Sequence, residues 1–473
     1  MIIKPGISRI TSNSFGLIAQ ILSLFMLVRL LDIYQFGLWG IANSIIYILS
    51  GISQLSYSQY IEKYFPNIDD VKRKSLFYSF FKTILFTLPI NLLIVSSMVY
   101  FGYFDKFNAN NLFILSGIIV LQIITEALVN LYNHYFISKN ISSKFDLNEL
   151  FLFKIPRVII FFILLINGYS VFYILAFQFF LRFIFLINLV KADLKKINLL
   201  FNFLNLTSIS KNKFPGIKYN FIAYLDKTLY ISFVNFLFLI SSNFIESIAI
   251  SYFSLGILII NNLRPVFDSI PSLLPRTISS NLNKNDNSFN IQYLSMYSSG
   301  IFISIVIFTT DKLLNIKFFN FYILENYSLG IEKVIFLSIF ASGLHSFYLP
   351  KYYEILFSGY EKTVLRFNII NYFLSSSLLI FFNYKFNVEN FIYFYIVYEF
   401  FNTLFIFYIN NFKLSRKDLT FKKLILVVPK IFYVAFAIFL YNLTTVNPPL
   451  VLQVAFVVLF LLDIKSFLKK INL

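Results

Sequence analysis

Long apolar stretches, each followed by a short polar break, recur along the whole chain. A helix that crosses a bilayer needs about 20 mostly apolar residues, and about 14 stretches reach that length. They cover approximately residues 12–31, 36–57, 80–103, 111–136, 150–168, 171–190, 217–241, 246–270, 291–310, 331–352, 365–383, 388–409, 423–441 and 449–466. The pattern predicts an all-α integral membrane protein.

The longest polar break runs from Lys191 to Lys218 and divides these helices into groups. We expect an N-terminal lobe at 1–195 with six helices, a cytoplasmic linker at 196–216, a C-terminal lobe at 217–412 with six more helices, and two additional helices at 413–473. The division suggests two lobes around a central site. The predicted architecture is therefore one that is common among alternating-access transporters.

Composition supports this class. Hydrophobic residues make up 58% of the chain and charged residues only 13%, whereas a soluble domain has roughly 25% charged residues. A soluble fold could not bury so much apolar surface, so the sequence excludes that class. The chain has no cysteine and two histidines, which argues against thiol chemistry and a Cys/His metal site. We expect no metal and no cofactor.

The basic residues that give the chain its net charge of +18 are distributed as membrane topology requires. Basic residues collect in every second break, as at Lys72 to Lys74 and Lys413 to Lys423, and cytoplasmic loops are the ones that carry such an excess. Both termini are therefore expected in the cytoplasm. Because the charges belong to loops between apolar helices, we do not expect nucleic-acid binding.

A polar stripe marks the predicted helix at 111–136. Gln122, Glu126, Asn130 and His134 recur every fourth residue, a spacing that places them on one face of a helix. Glu126 lies near mid-depth, where an ionisable side chain is costly and usually functional. It is a candidate for binding substrate hydroxyls or a coupling proton or cation. The alternative is an interhelical hydrogen bond that fixes packing.

Basic residues at mid-depth suit an anionic substrate group. Lys227 lies about ten residues from its helix end, too deep to reach the interface easily. Arg182 has no acidic residue nearby in its own helix. Asn261, Arg264 and Asp268 share one face of the helix at 246–270, although Arg264 and Asp268 could simply pair with each other. Together these side chains predict a hydrated cationic cavity between two lobes.

Two further residues complete the candidate site. Arg29, at the outer end of the first helix, and Arg157 can both reach the interface, so interfacial anchoring is the favoured interpretation for them, although Arg29 is also kept as a cavity candidate. Glu399, one turn before Asn402, is a second candidate for ion coupling.

Local motifs resemble a known family. Val28 to Asp32 reads Val-Arg-Leu-Leu-Asp and is followed by Phe36 to Trp39, which reads Phe-Gly-Leu-Trp. Tyr60 to Pro66 and Ser358 to Thr363 match two further short segments. They resemble the Wzx-type bacterial polysaccharide flippases of the multidrug/oligosaccharidyl-lipid/polysaccharide exporter superfamily. Asp32 stands where that family has glycine.

The resemblance implies a flippase in the bacterial inner membrane. Its substrate would be a polyprenyl-diphosphate-linked oligosaccharide repeat unit, moved to the outer leaflet for O-antigen or capsule assembly. The partners implied are membrane lipid, H⁺ or Na⁺ as a coupling ion, and polysaccharide polymerase machinery. Two alternatives stay open: a cation-coupled drug or metabolite exporter of the same superfamily, and a membrane enzyme such as a polysaccharide polymerase or glycosyltransferase.

Overall fold

The structure is a computed structural model that describes residues 3–104, 112–139, 141–194, 221–222, 224–226, 235, 238–239, 247–267, 300–301, 303–311, 331–357, 360–381, 395–399, 401–402, 404–405, 433–434, 436–438, 440 and 450–471. The regular structure in these ranges is helical, which confirms the predicted all-α class. The linker expected at 196–216 and most of the helices expected at 217–241, 388–409 and 423–441 lie outside the described residues. The number of helices and the division into lobes therefore stay predictions.

The N-terminal half, here residues 3–194, contains α1 (Ile3–Leu30), α2 (Ile33–Ser53), α3 (Tyr57–Tyr64), α4 (Asp70–Phe86), α5 (Leu88–Tyr100), α6 (Leu112–Ser138), α7 (Ser142–Glu149), α8 (Ile155–Ile166) and α9 (Val171–Leu194). A 3₁₀ turn, Phe65–Asn67, follows α3, and a π-helical segment, Leu150–Lys154, joins α7 to α8. The C-terminal half, from residue 221 onward, includes α10 (Ser247–Phe267), α11 (Ile331–Phe357), α12 (Glu361–Phe381) and α13 (Leu450–Ile471).

Several helices carry apolar side chains on their exposed face as well as on their buried face. Ile33–Ser53, Asp70–Tyr100, Leu112–Ser138 and Val171–Lys191 are long and apolar enough to cross a membrane. On α5 the fully buried side chains are Asn91 and Val95. Phe101 and Phe113 are 81% and 85% exposed. Such a surface is stable only against hydrocarbon, so the chain is a multi-pass membrane protein.

The turn between α1 and α2 explains the departure from the family motif at Asp32. Its Oδ1 accepts a hydrogen bond from the Gln35 N–H at 2.8 Å and caps the start of α2. A carboxylate suits this position because the first N–H groups of a helix have no intrahelical acceptor. Gln35 Oε1 in turn accepts from the Val171 N–H at 3.3 Å, which ties this turn to the start of α9.

The stretch expected as one helix at 36–57 is broken before its end. Leu55 and Ser56 have φ values of 48° and 57°, in the left-handed region that side-chain-bearing residues rarely adopt. The chain therefore turns between α2 and α3. The helix expected at 80–103 begins earlier, at Asp70, and is interrupted at Thr87 between α4 and α5. The break predicted at 167–170 is confirmed by the end of α8 and the start of α9, with Gly168 at φ 70°.

The two halves of the molecule meet along α2 and α10. A Cβ atom at Gly40 would overlap the Oγ and Cβ of Ser254, so only glycine fits there. Near the start of both helices, Ser251 Oγ donates to the Ile33 carbonyl at 2.5 Å. The halves are thus closely packed at the end of the bundle where α2 and α10 begin.

Candidate functional site

A cavity of about 350 Å³ opens among α1, α2, α6, α9, α10 and the α7–α8 segment. This volume lies at the lower end of the range typical of ligand pockets, about 300–1,000 Å³. Its lining is unusually polar for a membrane-embedded helical bundle. The polar and charged lining residues are Gln20, Ser23, Trp39, Asn43, Tyr47, Ser50, Gln122, Glu126, Asn130, Asn133, Asp146, Glu149, Lys154, Arg157, Gln178, Arg182, Asn261 and Asn262.

A continuous ion-pair network crosses the cavity wall. Arg182 of α9 bridges two helices: its Nη2 lies 2.8 Å from Glu126 Oε2, and its Nη1 lies 2.6 Å from Glu149 Oε1. The other Glu149 oxygen lies 2.9 Å from Lys154 Nζ. Since breaking a buried pair leaves an uncompensated charge, the four groups stabilise one another.

The π-helical segment explains how Glu149 and Lys154 meet. Five residues apart on an α-helix, two side chains would lie about 140° apart, since each residue turns the helix by about 100°. In a π-helix, where the backbone bonds run from i to i+5, such residues come to the same side. The Ile155 N–H bonds to the Leu150 carbonyl in this way. Pro156, which has no N–H to donate, follows Ile155 in the first turn of α8.

Aromatic rings cover the cationic groups of this network. The Arg182 guanidinium lies 4.5 Å from the Phe153 ring centroid, and the Arg157 guanidinium lies 5.2 Å from the same centroid. Arg157 also lies 5.8 Å from the Phe161 ring. Arg157 therefore lines the cavity, and the sequence-based alternative of an interfacial anchor does not describe its position.

The charges of the described lining residues balance. The cavity wall holds three carboxylates and three cationic side chains, Glu126, Asp146, Glu149, Lys154, Arg157 and Arg182. The sequence predicts a positive excess, to which Lys227 and Arg264 were to contribute. Lys227 and Asp268 lie outside the described residues, and Arg264 belongs to α10 although its side chain is not described.

Most of the predicted polar stripe faces the cavity. Gln122, Glu126 and Asn130 line it from α6, and Asn261 lines it from α10 in the other half of the molecule. His134 instead pairs with Glu62 of α3, with 2.7 Å between Nδ1 and Oε1. Arg29 lies in the last turn of α1, partly exposed, and is not among the lining residues.

A second polar cluster lies in the C-terminal half. Glu399 is fully buried, accepts a hydrogen bond from the Tyr395 hydroxyl at 2.5 Å, and lies 3.5 Å from Asn402 Nδ2. His345 Nδ1 lies 3.9 Å from the same carboxylate. Asn402 Oδ1 accepts from Asn371 Nδ2 at 2.8 Å.

Asp226 is a further buried carboxylate that the sequence reasoning did not select. It is completely buried, and it accepts hydrogen bonds from the Tyr352 hydroxyl and from Asn368 Nδ2. An aspartate in an apolar stretch is itself a signal of a functional or paired carboxylate. Sequence also missed Glu149 and Lys154, which lie at a predicted helix end. Within the described ranges, no three His, Asp or Glu side chains come together as a metal site.

A polar cavity that is lined from both halves of the chain thus lies inside a shell of apolar helices. The chain is similar to the eukaryotic MATE transporter AtDTX14, with a TM-score of 0.58, 13% identity, and coverage of 89% of this chain and 95% of that chain. It is also similar to the lipid II flippase MurJ in an inward closed conformation, with a TM-score of 0.57, 13% identity, and coverage of 100% of both chains.

These similarities confirm the expected all-α membrane fold. No protein-family model and no curated protein matches the sequence. The specific resemblance to Wzx-type flippases stays a prediction.

Proposed function

We propose that this protein is a flippase for a polyprenyl-diphosphate-linked oligosaccharide repeat unit. The observation that carries the proposal is the polar, ion-paired cavity around Arg182 within a shell of apolar helices. An uncharged polar group taken bare into hydrocarbon costs on the order of 4 kcal/mol or more. Since a repeat unit carries many hydroxyls, it crosses a bilayer only along a wet, hydrogen-bonding path.

The lining matches both parts of such a head group. Among the described residues, neither the Arg157 nor the Arg182 Nε–H has an acceptor, and such a donor suits the oxygens of a diphosphate. Side-chain amides of Gln122 and Asn130 suit sugar hydroxyls. The prenyl tail stays in the surrounding lipid. Outward movement of the diphosphate is also favoured by about 2.3 kcal/mol per charge per 100 mV of inside-negative potential.

Contacts between the halves support alternating access. The cavity is lined from α6 and α9 on one side and by Asn261 of α10 on the other, so relative movement of the halves changes its access. The tight contact of Gly40 with Ser254 holds the halves together at one end. Under the predicted orientation this is the outer end, and the substrate enters from the cytoplasm.

The buried carboxylates of the C-terminal half supply candidates for ion coupling. Asp226 accepts hydrogen bonds from the neutral Tyr352 hydroxyl and Asn368 amide, and Glu399 accepts one from the Tyr395 hydroxyl with His345 Nδ1 3.9 Å away. We infer that these carboxylates take up H⁺ or Na⁺ during transport. The same feature favours the second candidate function, a cation-coupled drug or metabolite exporter. That alternative predicts that the basic residues of the cavity are dispensable.

We place the protein in the bacterial inner membrane, with both termini in the cytoplasm, upstream of a polysaccharide polymerase. Its action is transport without a chemical step, so we propose that it is not an enzyme. The balance of charged side chains at the cavity wall, each cation near a carboxylate or an aromatic ring, suits reversible binding and release of an anionic head group.

The direct test is flipping in proteoliposomes that contain the purified full-length chain. Polyprenyl-diphosphate-linked saccharide is placed in both leaflets, and a membrane-impermeant periodate reagent oxidises only the outward-facing sugar. We expect the inner-leaflet pool to become reactive with protein present and to stay protected in protein-free vesicles. The inner-leaflet pool of phosphatidylglycerol, whose head group carries a vicinal diol that periodate cleaves, should stay protected in both. Transport of a lipophilic cation without flipping would instead support the exporter alternative.

A further inference from the structure

We propose that Trp39, Asn43, Gln122 and Gln178 form a subsite for an uncharged sugar ring, one helical turn away from the ion-pair network. This inference rests on the proposed function and names the part of the substrate that the cavity recognises. Gln122 precedes Glu126 by four residues on α6, and Gln178 precedes Arg182 by four residues on α9. Since α6 and α9 run in the same direction, separated by the returning α7–α8 segment, the two glutamines form a common layer.

Part of this layer is tied together by hydrogen bonds. Gln178 Nε2 donates to Asn43 Oδ1 at 3.2 Å, and Asn43 Nδ2 donates to the Trp39 carbonyl at 2.8 Å. These bonds orient the two amides and leave Gln178 Oε1 buried without a partner among the described residues. The layer is therefore positioned in advance by contacts between α2 and α9.

The remaining polar atoms of the layer are buried and unpartnered. Gln122 is completely buried, and neither its Oε1 nor its Nε2 has a hydrogen-bond partner within the described part of the chain. The same is true of the indole Nε1 of Trp39, a residue that is 6% exposed. A buried polar group without a partner is destabilising and rare in native proteins. Both side chains line the cavity, as does Gln178.

The hydrogen-bond donors and acceptors without partners in the described residues indicate the chemical class of the ligand. The layer offers donors at the Trp39 indole and the Gln122 amide, and acceptors at Gln122 Oε1 and Gln178 Oε1. A phosphate only accepts hydrogen bonds and leaves the two acceptors unpaired. A metal cation binds oxygens and leaves the donors unpaired. A sugar hydroxyl or acetamido group donates and accepts, so a saccharide satisfies both kinds of atom.

The neighbouring layer suits the adjoining part of the same molecule. Glu126 and Arg182 lie one turn, about 6 Å, further along their helices, and neither the Arg157 nor the Arg182 Nε–H has an acceptor in the described part of the chain. A lipid-linked saccharide carries its diphosphate directly beside its first sugar. The layer with Glu126 and Arg182 therefore fits the diphosphate, and the neighbouring layer with Gln122 and Gln178 fits the first sugar residue.

Trp39 allows a direct test because it is the only tryptophan of the chain. The full-length protein in lipid nanodiscs is titrated with two probes, polyprenyl diphosphate carrying one N-acetylhexosamine and polyprenyl diphosphate without sugar. We expect the glycosylated probe to change the Trp39 fluorescence and to bind more tightly. Loss of the hydrogen bonds at Gln122 in Gln122→Leu should weaken the glycosylated probe about tenfold and leave the sugar-free probe unchanged.

Gln59→Leu is the matched control. Gln59 also has a buried amide oxygen without a partner in the described part, but it lies on α3 and does not line the cavity. It should leave both affinities unchanged. Thermal unfolding checks that both variants fold, and Gln122→Leu should be at least as stable as the wild type because it removes unpaired polar atoms.

The outcomes separate this inference from the proposed function. If Gln122→Leu weakens both probes equally, or leaves the glycosylated probe unaffected, the sugar subsite is wrong even while the wild type still flips the lipid. Greater stability with unchanged affinities would mean that the layer holds ordered water only, and would overturn the subsite. If the wild type neither binds nor flips either probe, the proposed function fails and the subsite fails with it.

Discussion

Buried carboxylates occur in both halves of the molecule, and the two halves hold them differently. In the N-terminal half, Glu126 and Glu149 share Arg182, and Glu149 also contacts Lys154. In the C-terminal half, hydroxyl and amide donors surround Asp226 and Glu399, with a histidine 3.9 Å from Glu399. A carboxylate that is paired with arginine is fixed as a charged structural element. One held by neutral donors can exchange its counter-ion.

This difference separates two roles that the sequence placed together. Glu126 and Glu399 were both candidates for ion coupling because each is an acidic residue inside an apolar helix. The contacts of Glu126 with Arg182 now favour a role in positioning the cavity wall, whereas those of Glu399 favour coupling. The predictions below test that contrast, from the largest expected effect to the smallest.

Arg182→Ala should have the largest effect. It leaves Glu126 and Glu149 without their shared cation, and breaking a buried pair costs about 3–5 kcal/mol. We expect a strongly lowered melting temperature and loss of flipping in proteoliposomes. Arg366→Ala, on an exposed position of α12, is the matched control and should change neither.

The double variant Arg182→Met with Glu126→Gln separates structure from function. The contact of Glu149 with Lys154 is kept. Because the charges of Arg182 and Glu126 are removed together, neither is left without its partner, and most of the stability lost in Arg182→Ala should return. Flipping should stay absent if Arg182 binds the diphosphate. Recovery of flipping together with stability would mean that Arg182 only holds the helices together.

The acidic residues of the C-terminal half should control energy coupling. Glu399→Gln and Asp226→Asn keep the hydrogen-bonding shape, so the free energy of unfolding should change by only about 1 kcal/mol. Flipping should no longer respond when the H⁺ or Na⁺ gradient is collapsed. Glu126→Gln should show the reverse, with lower stability and an intact response to the gradient. A gradient response lost only in Glu126→Gln would reverse the assignment.

Gly40→Ala should separate the two halves where α2 meets α10. The added methyl group overlaps Ser254, and overpacking of this kind typically costs about 1–3 kcal/mol. We expect greater labelling of a cysteine introduced at Asn261 by a water-soluble maleimide, because the halves move apart. Ser254→Gly in the same chain should restore the wild-type labelling, and failure to do so would argue against the direct contact.

The smallest expected effect is a gain in stability at the turn between α2 and α3. Ser56 has φ 57° and a buried hydroxyl without a partner in the described part of the chain. Ser56→Gly removes the backbone strain at this positive φ and also the buried hydroxyl. We therefore expect about 1 kcal/mol of stabilisation, measured as a raised melting temperature. Ser58→Gly, two residues later within α3, should instead destabilise by about 1 kcal/mol.

The sequence by itself determined the class of the protein and the positions of most described helices. Insertion in a membrane depends on the summed hydropathy of about 20 consecutive residues, which is a local property. The face shared by Gln122, Glu126 and Asn130 is also local, because helical periodicity alone places them together.

Only the tertiary structure decided which charges meet. Arg182 has no acidic neighbour in its own helix, and its two partners come from helices whose packing the sequence does not specify. The π-helical segment that brings Glu149 to Lys154 departs from regular periodicity, so no fixed spacing predicts it. Asp226 likewise owes its partners to α11 and α12. Helix formation follows from neighbours along the chain, whereas pairing of buried charges depends on the relative placement of distant helices.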